Sequence, residues 1–309
     1  MRKETLFELK SLYRDNLRIS GFRFGKGQKS VCIVGSLRGN EIQQLYICSQ
    51  LVKRLKKLEE EKQIISGKEI LVIPTANPYS INSGKRFWPS DNTDINRMFP
   101  GYCLGETTQR IADGLFEKIK DFEYGIQFTS FYMTGAFVPH VKMMTTGFEN
   151  LNTAKKFGLP YVLKRKPKPY DTTTLNYNWQ IWETEAFSVY TDCTDHIEIE
   201  SAEQAIEAVL KFLYETGVIN RKPEQENKSR VIHEEELVGI PCPDAGLYLP
   251  TVKVGDRIKK GQILANIIDP YTGEEISRVE SPINGQIFFA RTKPVTYANT
   301  VIFKMTEED

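Results

Sequence analysis

Three short apolar runs punctuate the first half of the chain: Val31-Cys32-Ile33-Val34-Gly35, Ile70 to Ile73, and Tyr124 to Phe128. Between the first two, Ile42 to Glu61 places Leu45, Cys48, Leu51, Val52, Leu55 and Leu58 at helical spacing, and Thr107 to Lys120 reads as a second helix. A continuous apolar run ending in Gly suits a strand buried on both faces. Strands alternating with long helices define an α/β fold with a mostly parallel, mixed sheet and helices on both faces. Ligands of such sheets bind beyond the carboxyl ends of the strands. The loops that carry Arg38 and Glu41, Asn77 to Arg97, and Thr129 are therefore expected to meet at one rim.

Residues 1–30 are polar and offer two strand candidates, 17–19 and 22–24, read as an edge hairpin. Residues 145–182 are less regular. Within them Lys164 to Tyr170 is a basic, Pro-containing segment: either an extended surface strand or a lid adding positive charge above the rim. Phe187 to Tyr190 reads as a strand, and Ala202 to Tyr214 as an amphipathic helix closed by Gly217. Residues 220–230 contain no apolar side chain and serve as the expected linker. It divides an α/β domain, 1–222, from an all-β domain, 231–309, where short β runs alternate with turns.

Lys and Arg number 41 against 40 Asp and Glu, so no basic field points to nucleic acid. No apolar run approaches the roughly 20 residues of a membrane span. The first residues lack the apolar core of a signal peptide. Five cysteines without a CxxC pair read as reduced thiols, which fits a cytoplasmic location.

Asp94-Ile95-Asn96-Arg97-Met98-Phe99-Pro100-Gly101 follows the second strand. Asn96 and Arg97, with Arg86 eleven residues earlier, can grip a carboxylate, because the planar guanidinium matches its two oxygens. Alternatively the loop is solvated and Asp94 pairs with Arg97. The string, preceded by Asn77-Pro78 and Gly84-Lys85-Arg86-Phe87, resembles the signature of the succinylglutamate desuccinylase/aspartoacylase family. The likeness runs roughly from Val31 to Lys304. It implies a zinc-carboxypeptidase-like fold and removal of acyl groups from amino acids or related amides. It also implies that Arg86 stabilises the oxyanion while Asn96 and Arg97 hold the substrate carboxylate. The C-terminal portion resembles the barrel-sandwich of biotinyl and lipoyl carriers, but has no Met-Lys-Met or Asp-Lys-Ala string to take a cofactor.

The family holds zinc with His-x-x-Glu after the first strand and a later His, leaving one position for water. The matching string here is Arg38-Gly39-Asn40-Glu41, so Glu41 remains while Arg38 replaces His. The second His position falls on Thr129, and the catalytic Glu position near Tyr190. Arg has no lone pair for a metal. This implies a metal-free site with an Arg38–Glu41 ion pair: a protein that binds a small carboxylate without the usual zinc-dependent hydrolysis. The alternative is an active amidohydrolase with a relocated zinc, built from Glu41 with His140 and His196 or Asp192. A third option is an assembly role for the C-terminal barrel, and a homo-oligomer is compatible with any of them.

Overall fold

The computed structural model describes residues 1–11, 15–130, 135–223 and 228–308. Its first unit is a nine-stranded sheet. The strands and helices, in chain order, are β1 Arg2–Leu9, β2 Leu17–Gly25, β3 Gly27–Ser36, α1 Ile42–Glu60, β4 Gly67–Thr75, α2 Pro78–Ser83, α3 Thr107–Ile119 and β5 Tyr124–Phe128. They continue with β6 Gly135–Phe137, β7 His140–Met144, α4 Leu151–Lys155, β8 Tyr161–Arg165, α5 Leu175–Ile181, β9 Glu185–Tyr190, α6 Ile199–Glu215 and β10 Arg230–His233. The sheet order is β1-β2-β4-β3-β5-β9-β7-β8-β10. The central pairs β4·β3, β3·β5 and β5·β9 are parallel, as are β7·β8 and β8·β10. The pairs β1·β2, β2·β4 and β7·β9 are antiparallel.

The apolar periodicity explains the layers. Ile47, Cys48, Leu51 and Leu55 of α1 pack with Val209 and Phe212 of α6 against one face of the sheet. Ile111, Leu115 and Phe116 of α3 pack with Trp179 of α5 against the other. Because α1 and α3 lie on opposite faces, the chain changes side around β3 and β5. That is where an open α/β sheet leaves a crevice at its strand ends.

Two elements differ from expectation. Residues 17–19 and 22–24 do not form a hairpin with each other. They are one strand, β2, and the hairpin partner is β1. Buried Leu17, Ile19 and Phe24 commit β2 to the core, whereas the charged β1 buries only Leu6 and so carries little strand signal. Residues 230–233, at the end of the expected linker, add as β10 to the large sheet in parallel with β8.

The second unit comprises β11 Val238–Pro241, β12 Gly246–Pro250, β13 Arg257–Ile258, β14 Ile263–Ile268, β15 Glu275–Glu280, β16 Gly285–Arg291, β17 Val295–Thr296 and β18 Val301–Glu307. They form two antiparallel sheets, β11-β18-β16-β13 and β15-β14-β12-β17. Ile240, Tyr248, Leu264, Ile267, Ile287 and Phe303 fill the space between them. The first unit's β6 pairs antiparallel with β16 and so joins one of these sheets. Among the described residues no helix is long and apolar enough to cross a membrane.

Candidate functional site

The loop after β3 is built around Glu41. Its Oε2 accepts hydrogen bonds from the backbone N–H groups of Leu37 (2.9 Å) and Arg38 (3.0 Å). Its Oε1 accepts from Arg38 Nη1 (3.0 Å) and Ser130 Oγ (2.6 Å). The expected Arg38–Glu41 pair is therefore present, and it is buried: Arg38 is 3% and Glu41 1% exposed. Gly39 lets α2 close over this loop, since a Cβ there would stand 2.2 Å from the Ser80 carbonyl carbon. Asn77-Pro78 begins α2, with Asn77 Oδ1 accepting from Ser80 N (3.2 Å) as its cap.

The Asp94–Gly101 motif locks onto this floor. Arg38 Nε donates to both Asp94 oxygens, at 3.0 and 3.2 Å. Asp94 therefore pairs with Arg38 rather than with Arg97. Burial works against the Arg38 charge, but Asp94 and Glu41 outweigh it and hold the guanidinium's pKa above its ordinary value. Asn96 Oδ1 accepts from Leu175 N (3.1 Å) at the start of α5. Gly101, at φ +104°, passes so close to α3 that a Cβ would lie 2.0 Å from Asp113 N.

Above the floor is a cavity of about 410 Å³. Arg38, Arg86, Asn96, Arg97, Thr129 and Tyr190 all line it, so the expected rim assembles, with Glu41 behind Arg38. Arg97 stacks on Tyr170 (5.3 Å) and lies 3.8 Å from Asp171. Burial, with the neighbouring Arg38 charge, lowers the Arg86 pKa. The cavity extends onto β9 and β7, where Ser188, Lys142 and Met144 line it. Arg165, Lys168 and Tyr170 close another side, so the basic segment does reach the rim. Lys304 of β18, with Glu234 and Glu235 after β10, completes the wall. Among the described residues, seven basic side chains face this space against three acidic ones.

Sequence reasoning missed Ser130, Lys142, Asn176 and Lys304. Lys142 and Lys304 are single lysines inside apolar strands, and that placement is the only signal they carry. The seryl and amide groups of Ser130 and Asn176 gave none.

Neither alternative histidine joins Glu41. His140 shares a face of β7 with Lys142 and Met144, yet it is 1% exposed. It stacks on Tyr190 (4.9 Å) and packs against Phe137 and Phe288. Its Nδ1–H donates to Val138 O (2.8 Å), and burial pushes its pKa down to about 3. His196 is exposed beside Asp195, and neither it nor Asp192 lines the cavity. The residues at the family's metal positions do not fit zinc. A carboxylate offers about four lone-pair sites, and four hydrogen bonds already occupy those of Glu41. A permanent cation stands 3.0 Å away. No group of three or more His, Cys, Asp or Glu suited to a metal occurs among the described residues.

Residues 27–213 match the family described as the succinylglutamate desuccinylase/aspartoacylase catalytic domain, and the chain belongs to that family. It is 22% identical over 271 residues to an N-alpha-acetyl-L-2,4-diaminobutyric acid deacetylase of Halomonas elongata, covering 79% of this chain and 72% of the relative. Among solved structures it is similar to a succinylglutamate desuccinylase/aspartoacylase of Rhodobacter sphaeroides, with a TM-score of 0.79, 19% identity and coverage of 99% and 96% of the two chains. It is also similar to the product-bound ectoine utilization protein of Ruegeria pomeroyi, with a TM-score of 0.79, 17% identity and coverage of 99% and 95%.

Proposed function

We propose that this protein binds a small carboxylate, of the kind borne by an acylated amino acid or related amide, and does not hydrolyse it by the family's zinc route. One observation carries the reading: the Arg38 guanidinium is clamped between Glu41 and Asp94, and Glu41 has no lone pair left to offer. Zinc requires three neutral or anionic donors and an open position. This floor supplies a cation, a saturated carboxylate and the Thr129 hydroxyl, so its metal site is degenerate. Arg97 and Arg86 supply charge-assisted hydrogen bonds for the carboxylate, and Asn96 helps to shape its seat. Tyr190 stands on the wall near where the family carries a carboxylate base, and contributes a hydroxyl and an apolar face. The balanced net charge and free cysteines agree with a cytoplasmic protein whose partner is a small molecule.

Calorimetric titration with N-acetylated amino acids, together with metal analysis of protein purified without added zinc, tests this reading. The expected result is carboxylate binding, no bound zinc even after zinc soaking, and no release of acetate. Arg97→Ala is expected to weaken binding about 10- to 100-fold, the loss of ~1.5–3 kcal/mol. The double change Arg38→His and Thr129→His is expected to create zinc affinity. Stoichiometric zinc bound by Glu41 in the unaltered chain, or chelator-sensitive acetate release, would restore the deacylase reading.

A further inference from the structure

Helix α5 carries three side-chain amides: Asn176, Asn178 and Gln180. The fold uses two of them. Asn178 Nδ2 donates to the carbonyls of Thr172 and Thr174, each at 2.9 Å. Gln180 Nε2 donates to Met144 O (3.2 Å). Asn176 differs from both. It is 2% exposed, yet neither its Oδ1 nor its Nδ2 has a hydrogen-bond partner among the described residues. No other side chain among the described residues leaves two buried polar atoms unmet. Asn176 borders the cavity, as do Met144, Ser188 and Asn96.

Its backbone is held on several sides. Thr174 caps α5 by accepting from Tyr177 N (3.4 Å). Asn96 Oδ1 accepts from Leu175 N (3.1 Å), so Asn176 follows directly the residue that Asn96 holds. Leu175 and Trp179, four residues apart, bury one face of α5 in the core. Asn176 therefore cannot swing out to water. A buried carboxamide without partners costs stability, and an apolar side chain of the same shape would avoid that cost. What Asn176 keeps at the cavity wall is one neutral acceptor beside two neutral donors. Such a group matches a ligand edge that carries one N–H and one oxygen.

We infer that Asn176 is a specificity-determining residue that recognises the N–H of an acylated amino acid. This rests on the proposed carboxylate grip at Arg86, Asn96 and Arg97. In extended backbone the N–H and carbonyl oxygen of one residue lie on the same edge, which is why a β-ladder partner can exchange hydrogen bonds with both. In an extended N-acyl amino acid that edge carries the amide N–H and one carboxylate oxygen. Asn176 Oδ1 accepts from the N–H, and Nδ2 donates to that oxygen. The other carboxylate oxygen is left to the guanidinium groups. An ester or ketone of the same shape has no N–H to give, so it leaves Oδ1 unmet and is rejected.

The test uses the full chain and three probes of one shape and one charge: N-acetylglycine, acetoxyacetate and levulinate. They place N–H, O and CH2 at the same position between carbonyl and carboxylate-bearing carbon. N-acetylglycine is expected to bind roughly 10-fold more tightly than either analogue. In Asn176→Leu that advantage is expected to fall to about threefold or less. The same variant is expected to unfold at an equal or higher temperature, because it loses two unpartnered buried atoms. Arg97→Ala is expected to weaken all three probes alike. Equal binding of the three by the unaltered chain would overturn the role of Asn176 and leave the carboxylate grip standing. So would an advantage that survives in Asn176→Leu. An N-acetylglycine advantage that needs Asn176 but ignores Arg97→Ala would retain the residue's role and remove the grip. Binding of none of the three would remove both.

Discussion

On the floor of the cavity Arg38 meets Glu41 and Asp94 at 3.0 Å each, and none of the three side chains is more than 10% exposed. On the far wall Lys142 and Arg165 meet Glu234 at 3.9 and 3.6 Å. The floor is tied to backbone: two amides hold Glu41, and Asp94 accepts from the amide of Asn96 (3.0 Å). The wall hangs on long side chains from separate strands and from a second unit. Charges fixed to neighbouring backbone saturate one another and act as structure. Charges brought together from distant elements meet Glu234 at longer range, although Arg165 also pairs tightly with Asp171 on the adjoining turn. The same cavity thus contains one polar cluster closed on neighbouring backbone and one assembled from side chains of separate elements.

The largest expected effect tests whether the floor is finished. Arg38→Ala leaves Glu41 and Asp94 buried without their cation, and is expected to cost roughly 3–5 kcal/mol in urea unfolding. A loss below about 1 kcal/mol would show that water replaces the guanidinium and that the floor is as open as the wall.

Next comes His140, which is buried by the third available solution, loss of charge. Its pKa is about 3 in the folded chain against an ordinary imidazole value of 6.5. Between those values the unfolded chain binds the proton and the folded chain does not. Stability is therefore complete above about pH 6.5 and falls as pH drops toward 3, by about 2 kcal/mol between pH 7 and pH 5. His140→Gln is expected to flatten this part of the stability curve. An unchanged slope would place the acid sensitivity elsewhere.

Asn96 lies between the two regimes, with Oδ1 holding Leu175 N at the start of α5 while the residue lines the cavity. Asn96→Ala is expected to cost about 1 kcal/mol of stability as a lost helix-terminal acceptor. Smallest of all, Lys168→Ala on the exposed part of the wall is expected to change stability by less than about 0.5 kcal/mol. A loss comparable to that of Arg38→Ala would erase the contrast between floor and wall.

The sequence made visible what depends on short range. The α3 helix follows from the spacing of Ile111, Leu115 and Phe116, and β5 occupies the expected Tyr124–Phe128. The Arg38–Glu41 pair follows from a three-residue separation on one loop. Long-range choices were not visible. Asp94 had Arg97 three residues away, but folding brought Arg38 to it from 56 residues back, and Arg97 turned toward Asp171 and Tyr170 instead. Lys304 reaches the cavity only because β18 packs where it does, and nothing in its local sequence encodes that position. The strand at Arg2–Leu9 stayed hidden because a charged edge strand that buries only Leu6 lacks the apolar alternation that reveals a strand.

The exchange of strands between the two units has a consequence for how the chain comes apart. β6 lies in a sheet of the second unit, and β10 lies in the sheet of the first, so each unit lends a ladder to the other. Severing the chain after residue 223 would strip an edge from one sheet and leave β6 without its neighbour. Neither fragment keeps a complete set of backbone hydrogen bonds. Such a molecule resists modular shuffling: its second unit cannot be deleted or transplanted as a cassette, and heat or denaturant should take both halves down in one cooperative step.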